Sequence, residues 1–388
     1  MIYRRFGKTG LAMPVLSFGC MRSMHAWQDD PAKPIPAAAQ QQLTTIVGQA
    51  LAHGITHIET AQGYGSSERQ LGSILPDLPR RSYLLQTKVA PYADPDQFTD
   101  TVIQSLKRLR VDRLDLLAIH GINDHRTLWQ TCRKNGCLAA ARRLQDRGIV
   151  GHIGFSGHAP LEVIRAAVEH EEDGGFDYLN VHWYYIFDVN RPAIEAAADR
   201  DMGIFIISPT DKGGRLHHPS KPLRELCSPL SPMLFNDFWC LQQPGVCTVS
   251  IGASTPEQFA EHLQVLPLLE QQSAHLLDEI DGRLRRTMAA ATGNERPDAH
   301  WLRMPSWDNA PGLINLSMVL WLYNLLRGWG MKEYARTRYR MLGQGSSWVP
   351  GNHAGSAATV IFSGLSVDTG MTQHDLKKRL IKAHRALH

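Results

Sequence analysis

Apolar and polar positions follow a regular order over residues 15–266. Short apolar runs alternate with longer segments in which apolar residues recur every three or four positions, such as those beginning at Gln41, Phe98, Cys137 and Pro160. The short runs predict strands and the longer segments predict helices. The eight runs read VLSFGCM, HIETA, YLLQTKV, LDLLAIH, HIGFSG, YLNVHWYY, IFIIS and TVSIGAS. Because each parallel strand needs a crossover helix, eight such units in roughly 250 residues predict an α/β fold, a (β/α)8 TIM barrel.

The two ends of the chain depart from this rhythm. Residues 1–15, with Gly7 and Gly10 between short β-prone pieces, predict a hairpin before the first barrel strand. After about residue 270 the pattern indicates short helices joined by glycine-rich links. We therefore expect a barrel domain over residues 1–270 and a mostly helical C-terminal extension over residues 271–388.

Composition narrows the class of protein. Hydrophobic residues make up 43% of the chain and charged residues 20%, which is typical of a globular domain. The net charge of +4 comes without a dense stripe of Lys and Arg, so we expect no nucleic-acid partner. The most apolar late stretch, LINLSMVLWLYNLL, is shorter than the roughly 20 residues of a membrane span and contains Asn315 and Asn324. It predicts a buried helix, and we expect no membrane association.

The cysteines and the N-terminus bear on location. Six cysteines are scattered without a CxxC pair, which favours a reducing compartment over a disulfide scaffold. The segment MIYRRFGKTG has no long apolar run, so no secretory signal is expected. We expect a cytoplasmic protein.

Candidate chemistry lies where the predicted strands end. Each apolar run becomes polar, small or glycine-rich at its C-terminal end, and in TIM barrels these ends converge on one mouth. For any single residue, ordinary loop polarity is an alternative explanation. Agreement across eight strands favours a common site. The polar residues are Glu59, Thr60, Lys88, His120, Ser156, His158, Asn180, His182, Ser208 and Ser254.

Several of these segments resemble the aldo-keto reductase superfamily over about residues 1–266. ETAQGYG is similar to the DTAxxYG motif, QTK to the segment with the strand-three lysine, and AIHGIN to the segment with the histidine after strand four. The resemblance extends to VGHIGFSG, ISPTDKGG and SIGASTPEQF. It implies a catalytic set of Glu59, Tyr64, Lys88 and His120 at one barrel mouth.

These residue types suit hydride transfer to a carbonyl, in which negative charge develops on oxygen and an acid must be in place. The resemblance implies that Tyr64 is that acid, and we expect Lys88 to lower its pKa from about 10. Glu59 would hold Lys88, because an unpaired buried ammonium is costly. His120 would orient the carbonyl or relay the proton. Alternatively, Glu59 caps the next helix and Tyr64 packs in a turn.

The resemblance also implies a nicotinamide cofactor, and on family grounds we expect it to be NADP(H). Ser156 and Asn180 match positions that bind the carboxamide, and Gln258 matches a position near the adenine. Loops after strands seven and eight commonly bind phosphate through backbone N–H groups. Gly213 and Gly214 alternatively form only a turn, and Ser254 alternatively caps a helix. The phosphate candidates are Ser208, Pro209, Lys212, Gly213, Gly252 and Ser254.

The sequence departs from the family pattern at five positions. Glu59 replaces the usual Asp, Gly157 an Asn, Asn180 a Gln, and Ile207 a Tyr that stacks on the nicotinamide; His262 replaces an Asn. These departures predict that the contacts with the cofactor are altered or weakened relative to the family. Trp183 and its neighbours after strand six form either an aromatic substrate wall or core packing.

The C-terminal extension resembles that of a branch of predicted reductases in which it carries ferredoxin-like cysteine clusters. No cysteine follows Cys247, and a cluster needs about four thiolates, so we expect no iron–sulfur cluster and no metal site. The extension is expected to shape the barrel mouth or to bind a protein partner.

The expected function is NADP(H)-dependent reduction of an aldehyde or ketone, with a small-molecule carbonyl substrate. A nicotinamide-binding regulatory or interaction protein with little turnover is the alternative. Another class of barrel enzyme, such as a lyase or isomerase, would bind substrate without affinity for a nicotinamide.

Overall fold

The computed structural model describes residues 1–271, 273–362, 365 and 370–388. Ten strands lie in these residues: β1 (Tyr3–Arg5), β2 (Ala12–Pro14), β3 (Leu16–Gly19), β4 (His57–Glu59), β5 (Leu84–Val89), β6 (Leu114–His120), β7 (Val150–Gly157), β8 (Tyr178–Val181), β9 (Gly203–Ile206) and β10 (Val246–Ile251).

The same described ranges contain fifteen α-helices, together with short 3-10 turns. The α-helices are α1 (Ala37–Ala52), α2 (Ser67–Leu71), α3 (Pro95–Leu109), α4 (His125–Cys132), α5 (Cys137–Asp146), α6 (Leu161–Val168), α7 (Arg191–Asp199), α8 (Lys221–Cys227), α9 (Pro232–Gln242), α10 (Phe259–Leu263), α11 (Val265–Glu270), α12 (Ala274–Thr292), α13 (Leu316–Trp329), α14 (Lys332–Tyr339) and α15 (Gln373–Leu387).

Strands β3 to β10 form a closed barrel in chain order, with β10 pairing with β3 and every neighbouring pair parallel. All eight predicted strands are confirmed, and with them the TIM-barrel fold. Strand β8 ends at Val181, so His182 and the aromatic residues after it lie beyond the strand. The apolar run was therefore longer than the strand that it predicted.

Helix α3 shows how the sequence sets a crossover element. Asp94 caps its N-terminus by accepting a hydrogen bond from the Asp96 N–H, and Pro95 occupies the first helical position, where no N–H donor is needed. Phe98 and Val102, four residues apart, share the buried face.

The N-terminal hairpin closes the end of the barrel opposite the mouth. Strands β1 and β2 pair antiparallel, as predicted. Phe6 and Met13 are buried in one cluster with Tyr178 and Phe205 of the barrel strands. Gly7 has φ +50° and lies so close to residues 201–203, at the start of β9, that a Cβ would approach backbone atoms to 2.4 Å. The hairpin therefore covers the end of the barrel at which the strands begin.

The chain divides into two compact units. The first comprises Met1–Trp183, Asn190–Pro209 and Asp237–Gln271, and the second comprises Tyr184–Val189, Thr210–Asn236 and Gln272–His388. The second unit thus includes two segments that precede residue 271. The expected division at residues 270 and 271 stays a prediction.

The second unit is mostly helical, as expected from the sequence. Helix α13 is buried along most of its length, which confirms the buried helix expected around Leu316. Among the described residues, no helix combines the length and apolarity that a membrane crossing requires. The six cysteines are all free thiols. A cytoplasmic location stays a prediction.

A polar chain crosses the barrel interior below the mouth. His57 Nδ1 lies 2.8 Å from Ser17 Oγ, and Ser17 Oγ lies 2.7 Å from Thr248 Oγ1. His57 is fully buried. Burial, assisted by the charge of Lys88, lowers the pKa of His57 to about 3. His57 is therefore neutral at physiological pH.

The buried imidazole predicts acid lability. The unfolded chain takes up a proton at this position near pH 6.5, whereas the folded chain takes it up only near pH 3, so stability falls as the pH is lowered between these values. Between pH 7 and pH 5, we expect the wild type to lose about 2 kcal/mol more unfolding free energy than His57→Asn. Urea unfolding at both pH values measures this, and equal losses in the two proteins would contradict it.

Candidate active site

A buried ion pair lies at the barrel mouth. Glu59, the last residue of β4, pairs with Lys88 of the neighbouring β5, and the two are 3% and 1% exposed. Lys88 Nζ also donates a hydrogen bond to the Thr60 carbonyl at 3.0 Å. An ammonium buried this deeply is tolerated only with a compensating charge and acceptors. Glu59 therefore holds Lys88 in place.

The additional methylene of Glu59 is accommodated by a glycine. A Cβ at Gly19 would lie 3.1 Å from Glu59 Oε2 and 2.5 Å from Ser250 Oγ. Because Gly19 carries no side chain, the longer carboxylate fits beside β3 and still reaches Lys88.

Tyr64 and His120 lie beside this pair. Lys88 Nζ is 4.6 Å from the centroid of the Tyr64 ring, and the His120 ring meets the Tyr64 ring edge-on at 5.8 Å. Tyr64 is partly exposed, whereas Glu59 and Lys88 are buried. The structure thus brings the four side chains expected to be catalytic into one group.

The pKa of Tyr64 is shifted upwards, opposite to the lowering expected from Lys88. Burial raises the pKa of Tyr64, with the nearby Cys20 as a smaller cause, so the expected lowering by Lys88 is wrong for this geometry. The ammonium lies over the ring face and is already paired with Glu59. Burial lowers the pKa of Lys88, while the nearby Cys20 acts in the opposite direction. Tyr64 therefore keeps its proton at neutral pH.

A buried amide adjoins this group. Asn180 of β8 lies in register with Ser156 of β7, which is in turn in register with His120 of β6. Asn180 is 0% exposed, and neither its Nδ2 nor its Oδ1 has a hydrogen-bond partner among the described residues. Buried polar atoms are rarely left unpaired. Ser156 Oγ lies 3.4 Å from the Gly121 amide nitrogen, which donates to it. The free donor and acceptor of Asn180 suit a ligand with a complementary pair, such as a primary carboxamide.

The loop after β10 holds a cation that sequence analysis missed. Arg22 Nη1 donates to the Gly252 carbonyl at 3.3 Å, and a Cβ at Gly252 would lie 2.9 Å from Arg22 Cδ. Ser254 donates to Gln258 Oε1 from its N–H at 2.9 Å and from its Oγ at 3.2 Å. Ser254 thus pairs with Gln258, and Thr255 occupies the N-cap position. The only feature of the sequence that points to Arg22 is its position just after β3, the first strand of the barrel.

The residues after β9 that are expected to bind phosphate are divided between the two compact units. Ser208 has φ +54°, a left-handed conformation that is uncommon for a residue with a side chain, and Pro209 is buried. Lys212 and Gly213 belong to the second unit. The Lys212 carbonyl accepts a hydrogen bond from Tyr334. The expected role of Lys212 and Gly213 in cofactor binding stays a prediction.

The aromatic residues after β8 are packing residues. Trp183 is 1% exposed and contacts Trp239 edge-on at 5.1 Å between ring centroids. Tyr184 and Tyr185 are also buried. A cavity of about 480 Å³ opens elsewhere, beside His120, with Tyr92, Asn123, Arg126, Thr127 and Gln130 among its lining residues. Its volume lies in the range of small-molecule sites.

Comparison with known proteins identifies the family. The model of the Aldo/keto reductase family matches residues 15–225, more than half of the chain. This chain belongs to the aldo/keto reductase family.

The aldo/keto reductase fold also appears in the individual relatives. The chain is 25% identical over 222 residues to probable aldo-keto reductase 1 of Glycine max, covering 54% of this chain and 59% of that protein. It is 26% identical over 242 residues to L-galactose dehydrogenase of Arabidopsis thaliana, covering 56% and 70%. The holo form of aldo-keto reductase AKR11C1 from Bacillus halodurans matches with TM-score 0.59 and 21% identity, over 73% of this chain and 96% of that one. The protein is thus an oxidoreductase of this family.

In the described part of the chain, no three His, Cys, Asp or Glu side chains are grouped so that they could hold a metal ion. His353, His374 and His388 are exposed, and His384 is partly exposed.

The buried Glu59–Lys88 pair predicts how the unfolding free energy changes when one or both partners are replaced. Lys88→Met leaves the Glu59 carboxylate buried without its partner, so we expect a loss of about 3–5 kcal/mol of unfolding free energy. Adding Glu59→Gln should recover part of this loss, because the unpaired charge is removed. Urea unfolding of both variants measures these changes.

The matched control is Lys33→Met, which breaks the exposed Lys33–Asp30 pair and should cost at most about 1 kcal/mol. A Lys88→Met loss as small as that of the control, or strictly additive losses in the double variant, would contradict a tightly coupled buried pair.

Proposed function

We propose that this protein is an NADP(H)-dependent oxidoreductase that reduces an aldehyde or ketone to an alcohol. Tyr64 is the proton donor, Lys88 and Glu59 form its electrostatic support, and His120 orients the carbonyl. The observation that carries the proposal is the grouping of the partly exposed Tyr64 with His120 and the buried Glu59–Lys88 pair. Membership of the aldo/keto reductase family supports the reaction class.

The residues present fit a nicotinamide cofactor. When bound, such a cofactor supplies the hydride. The unpaired amide of Asn180 matches a carboxamide in donor and acceptor, and Ser156 is its neighbour in register. Ser208 and Pro209 after β9, with Gly252 and Ser254 after β10, are proposed to bind phosphate through the backbone. Gln258, fixed by Ser254, is proposed to lie near the adenine.

Arg22 supports the choice of NADP(H). The loop after β10 has no Lys or Arg of its own between Gly252 and Gln258, but the guanidinium of Arg22 lies against the Gly252 carbonyl. An arginine presents a planar set of donors that matches a phosphate group. Arg22, in the loop after β3, is therefore proposed as the cation that contacts a phosphate of NADP(H).

In the proposed mechanism, His120, Lys88 and Tyr64 at the barrel mouth act one after another on the substrate carbonyl. His120 donates a hydrogen bond that orients the substrate carbonyl. As the carbonyl carbon is reduced, negative charge develops on its oxygen, and the nearby ammonium of Lys88 stabilises that charge. Tyr64 donates its proton to the oxygen, which completes the alcohol, and Tyr64 is reprotonated from solvent. Burial raises the pKa of Tyr64. The phenol therefore gives up its proton only after the developing negative charge has made the substrate oxygen a stronger base.

The cavity beside His120 is the proposed carbonyl pocket. Arg126, Asn123 and Gln130 give it hydrogen-bonding groups, and Tyr92 gives it an aromatic surface. A small polar aldehyde or ketone fits this lining better than a long apolar one.

One observation favours the second candidate, a nicotinamide-binding regulatory or interaction protein with little turnover. The ammonium of Lys88 does not lower the pKa of Tyr64, which reduces the acid strength of the phenol. Turnover measurements separate the two candidates.

Tyr64→Phe tests the proposed chemistry. We expect it to bind NADPH within about twofold of wild type but to lose at least about 100-fold in carbonyl reduction, because only the proton donor is removed. Binding is followed by nicotinamide fluorescence, and turnover by nicotinamide absorbance over a panel of aldehydes, ketones and quinones. The matched control is Tyr83→Phe, which removes a buried hydroxyl just before β5 and should keep turnover.

The outcomes separate the candidates. Equal turnover by wild type and Tyr64→Phe rules out Tyr64 as the proton donor. Binding of NADPH without turnover by either protein supports the regulatory candidate. Asn180→Leu should weaken NADPH binding by about tenfold, the equivalent of about one good hydrogen bond, and unchanged binding would rule out its carboxamide role.

A further inference from the structure

The cavity beside His120 is positively charged on one side. Its volume is about 480 Å³, and all of its lining residues belong to the first compact unit. Among the described residues that line it, Arg126 is the only Lys or Arg, and none is an Asp or Glu. A ligand that enters the cavity therefore meets a permanent positive charge with no acidic group on the facing walls.

The guanidinium of Arg126 is available to such a ligand. In the described part of the chain it forms no ion pair and no side-chain hydrogen bond, and the side chain is exposed. Asp124, two residues earlier, attracts Arg126 electrostatically. However, Asp124 Oδ1 accepts hydrogen bonds from the Thr127 N–H at 2.7 Å and from Thr127 Oγ1 at 2.8 Å. The Asp124 carboxylate is thus engaged at the start of α4 and does not cover the cation.

Neutral donors accompany the cation. Gln130 also lines the cavity and follows Arg126 by four residues, so the two side chains lie on one face of α4. Asn123 Oδ1 accepts a hydrogen bond from the His158 N–H at 2.7 Å. This contact fixes the orientation of the amide and leaves Nδ2, a donor, as its other polar end. These amides add hydrogen bonds for an anion without adding charge.

The opposite wall of the cavity is held in place by α5 and the residues before it. The Tyr92 N–H donates to Cys137 Sγ at 3.3 Å, and Cys137 Sγ donates to the Tyr92 carbonyl at 3.3 Å. Arg133 Nη2 donates to the Ala93 carbonyl at 2.8 Å. The backbone that faces Arg126 is therefore fixed before a ligand binds, which lowers the entropy cost of binding.

We propose that Arg126 determines substrate specificity and that the substrate is an oxo acid, an aldehyde or ketone that also carries a carboxylate. This inference rests on the proposed function. The carbonyl lies at His120, and the carboxylate lies at Arg126, whose planar set of donors matches it with two parallel hydrogen bonds. Hydride from NADPH and one proton convert the carbonyl to a hydroxyl, and the carboxylate is unchanged. The product is a hydroxy acid.

The charge of the cavity favours a carboxylate over a phosphate. A carboxylate carries one negative charge, which a single guanidinium balances. A phosphate group carries between one and two negative charges at neutral pH and is matched better by two cations. The described lining residues provide one, Arg126.

The experiment compares aldehydes that differ only in charge. Succinic semialdehyde and para-carboxybenzaldehyde are each tested beside their methyl esters, which keep the aldehyde and remove the negative charge. With wild type, we expect kcat/KM to be at least about tenfold higher for each acid than for its ester, because only the acid pairs with Arg126. Since Arg126 is exposed, this preference should shrink as the salt concentration is raised.

Arg126→Gln removes the charge and keeps a polar side chain. We expect the KM for each acid to rise about tenfold with a much smaller change in kcat, because the ion pair is present in the ground state and the transition state alike. Kinetics with the esters should stay within about twofold of wild type. Arg126→Lys restores the charge without the planar set of donors and should recover part of the loss.

The matched control is Arg143→Gln. Arg143 of α5 is an exposed arginine of the same unit that does not line the cavity. The control changes the net charge by the same amount, and we expect it to leave the KM for both acids unchanged. A rise in KM equal to that of Arg126→Gln would mean that overall charge causes the effect, and would overturn the inference.

The remaining outcomes are also decisive. Equal kcat/KM for acids and esters in wild type overturns the inference and leaves the proposed function intact. An equal loss on acids and esters in Arg126→Gln does the same, because it shows a structural role. A higher kcat/KM for glyceraldehyde 3-phosphate than for either acid would overturn the choice of a carboxylate. If wild type reduces no carbonyl compound at all, the proposed function fails and the inference fails with it.

Discussion

The buried ion pair between Glu59 and Lys88 is the constraint on which the rest of the site depends. Neither charge would be tolerated alone at this depth, so the two neighbouring strands that carry them must stay in register. The pair fixes an ammonium over one face of Tyr64. A side chain at Gly19 would collide with Ser250 Oγ and crowd the longer carboxylate. Glu59, where the family usually has Asp, thus has room beside Gly19 of the neighbouring strand.

The same low-polarity interior governs the titration of the groups around the pair. It lowers the pKa of His57 to about 3 and raises that of Tyr64. A neutral imidazole below the mouth avoids a second positive charge beside Lys88. In the proposed reaction, a phenol with a raised pKa gives its proton only to a strong base, such as the oxygen of a carbonyl that is being reduced. Burial therefore sets the protonation state of both groups at neutral pH.

Sequence patterns predicted the barrel because hydrophobic periodicity reports burial, and all eight strands follow it. They also predicted the group around Tyr64, because the C-terminal ends of parallel strands meet at one mouth. They missed Arg22, whose contact with Gly252 joins residues more than two hundred positions apart. The aromatic run after β8 was open to two readings, and Trp183 proved to be packing, because composition alone does not distinguish a pocket wall from a core. The pKa of Tyr64 is raised by burial and, less strongly, by Cys20, and motifs do not encode that environment.

The most direct test of the central claim follows the hydride itself. NADPH deuterated at the transferable position of the nicotinamide ring is incubated with wild-type protein and the carbonyl compounds of the panel, and each product alcohol is analysed by mass spectrometry. The account predicts one deuterium on the former carbonyl carbon. Alcohol without deuterium, or no alcohol from any compound while NADPH is bound, would contradict a mouth built for hydride transfer.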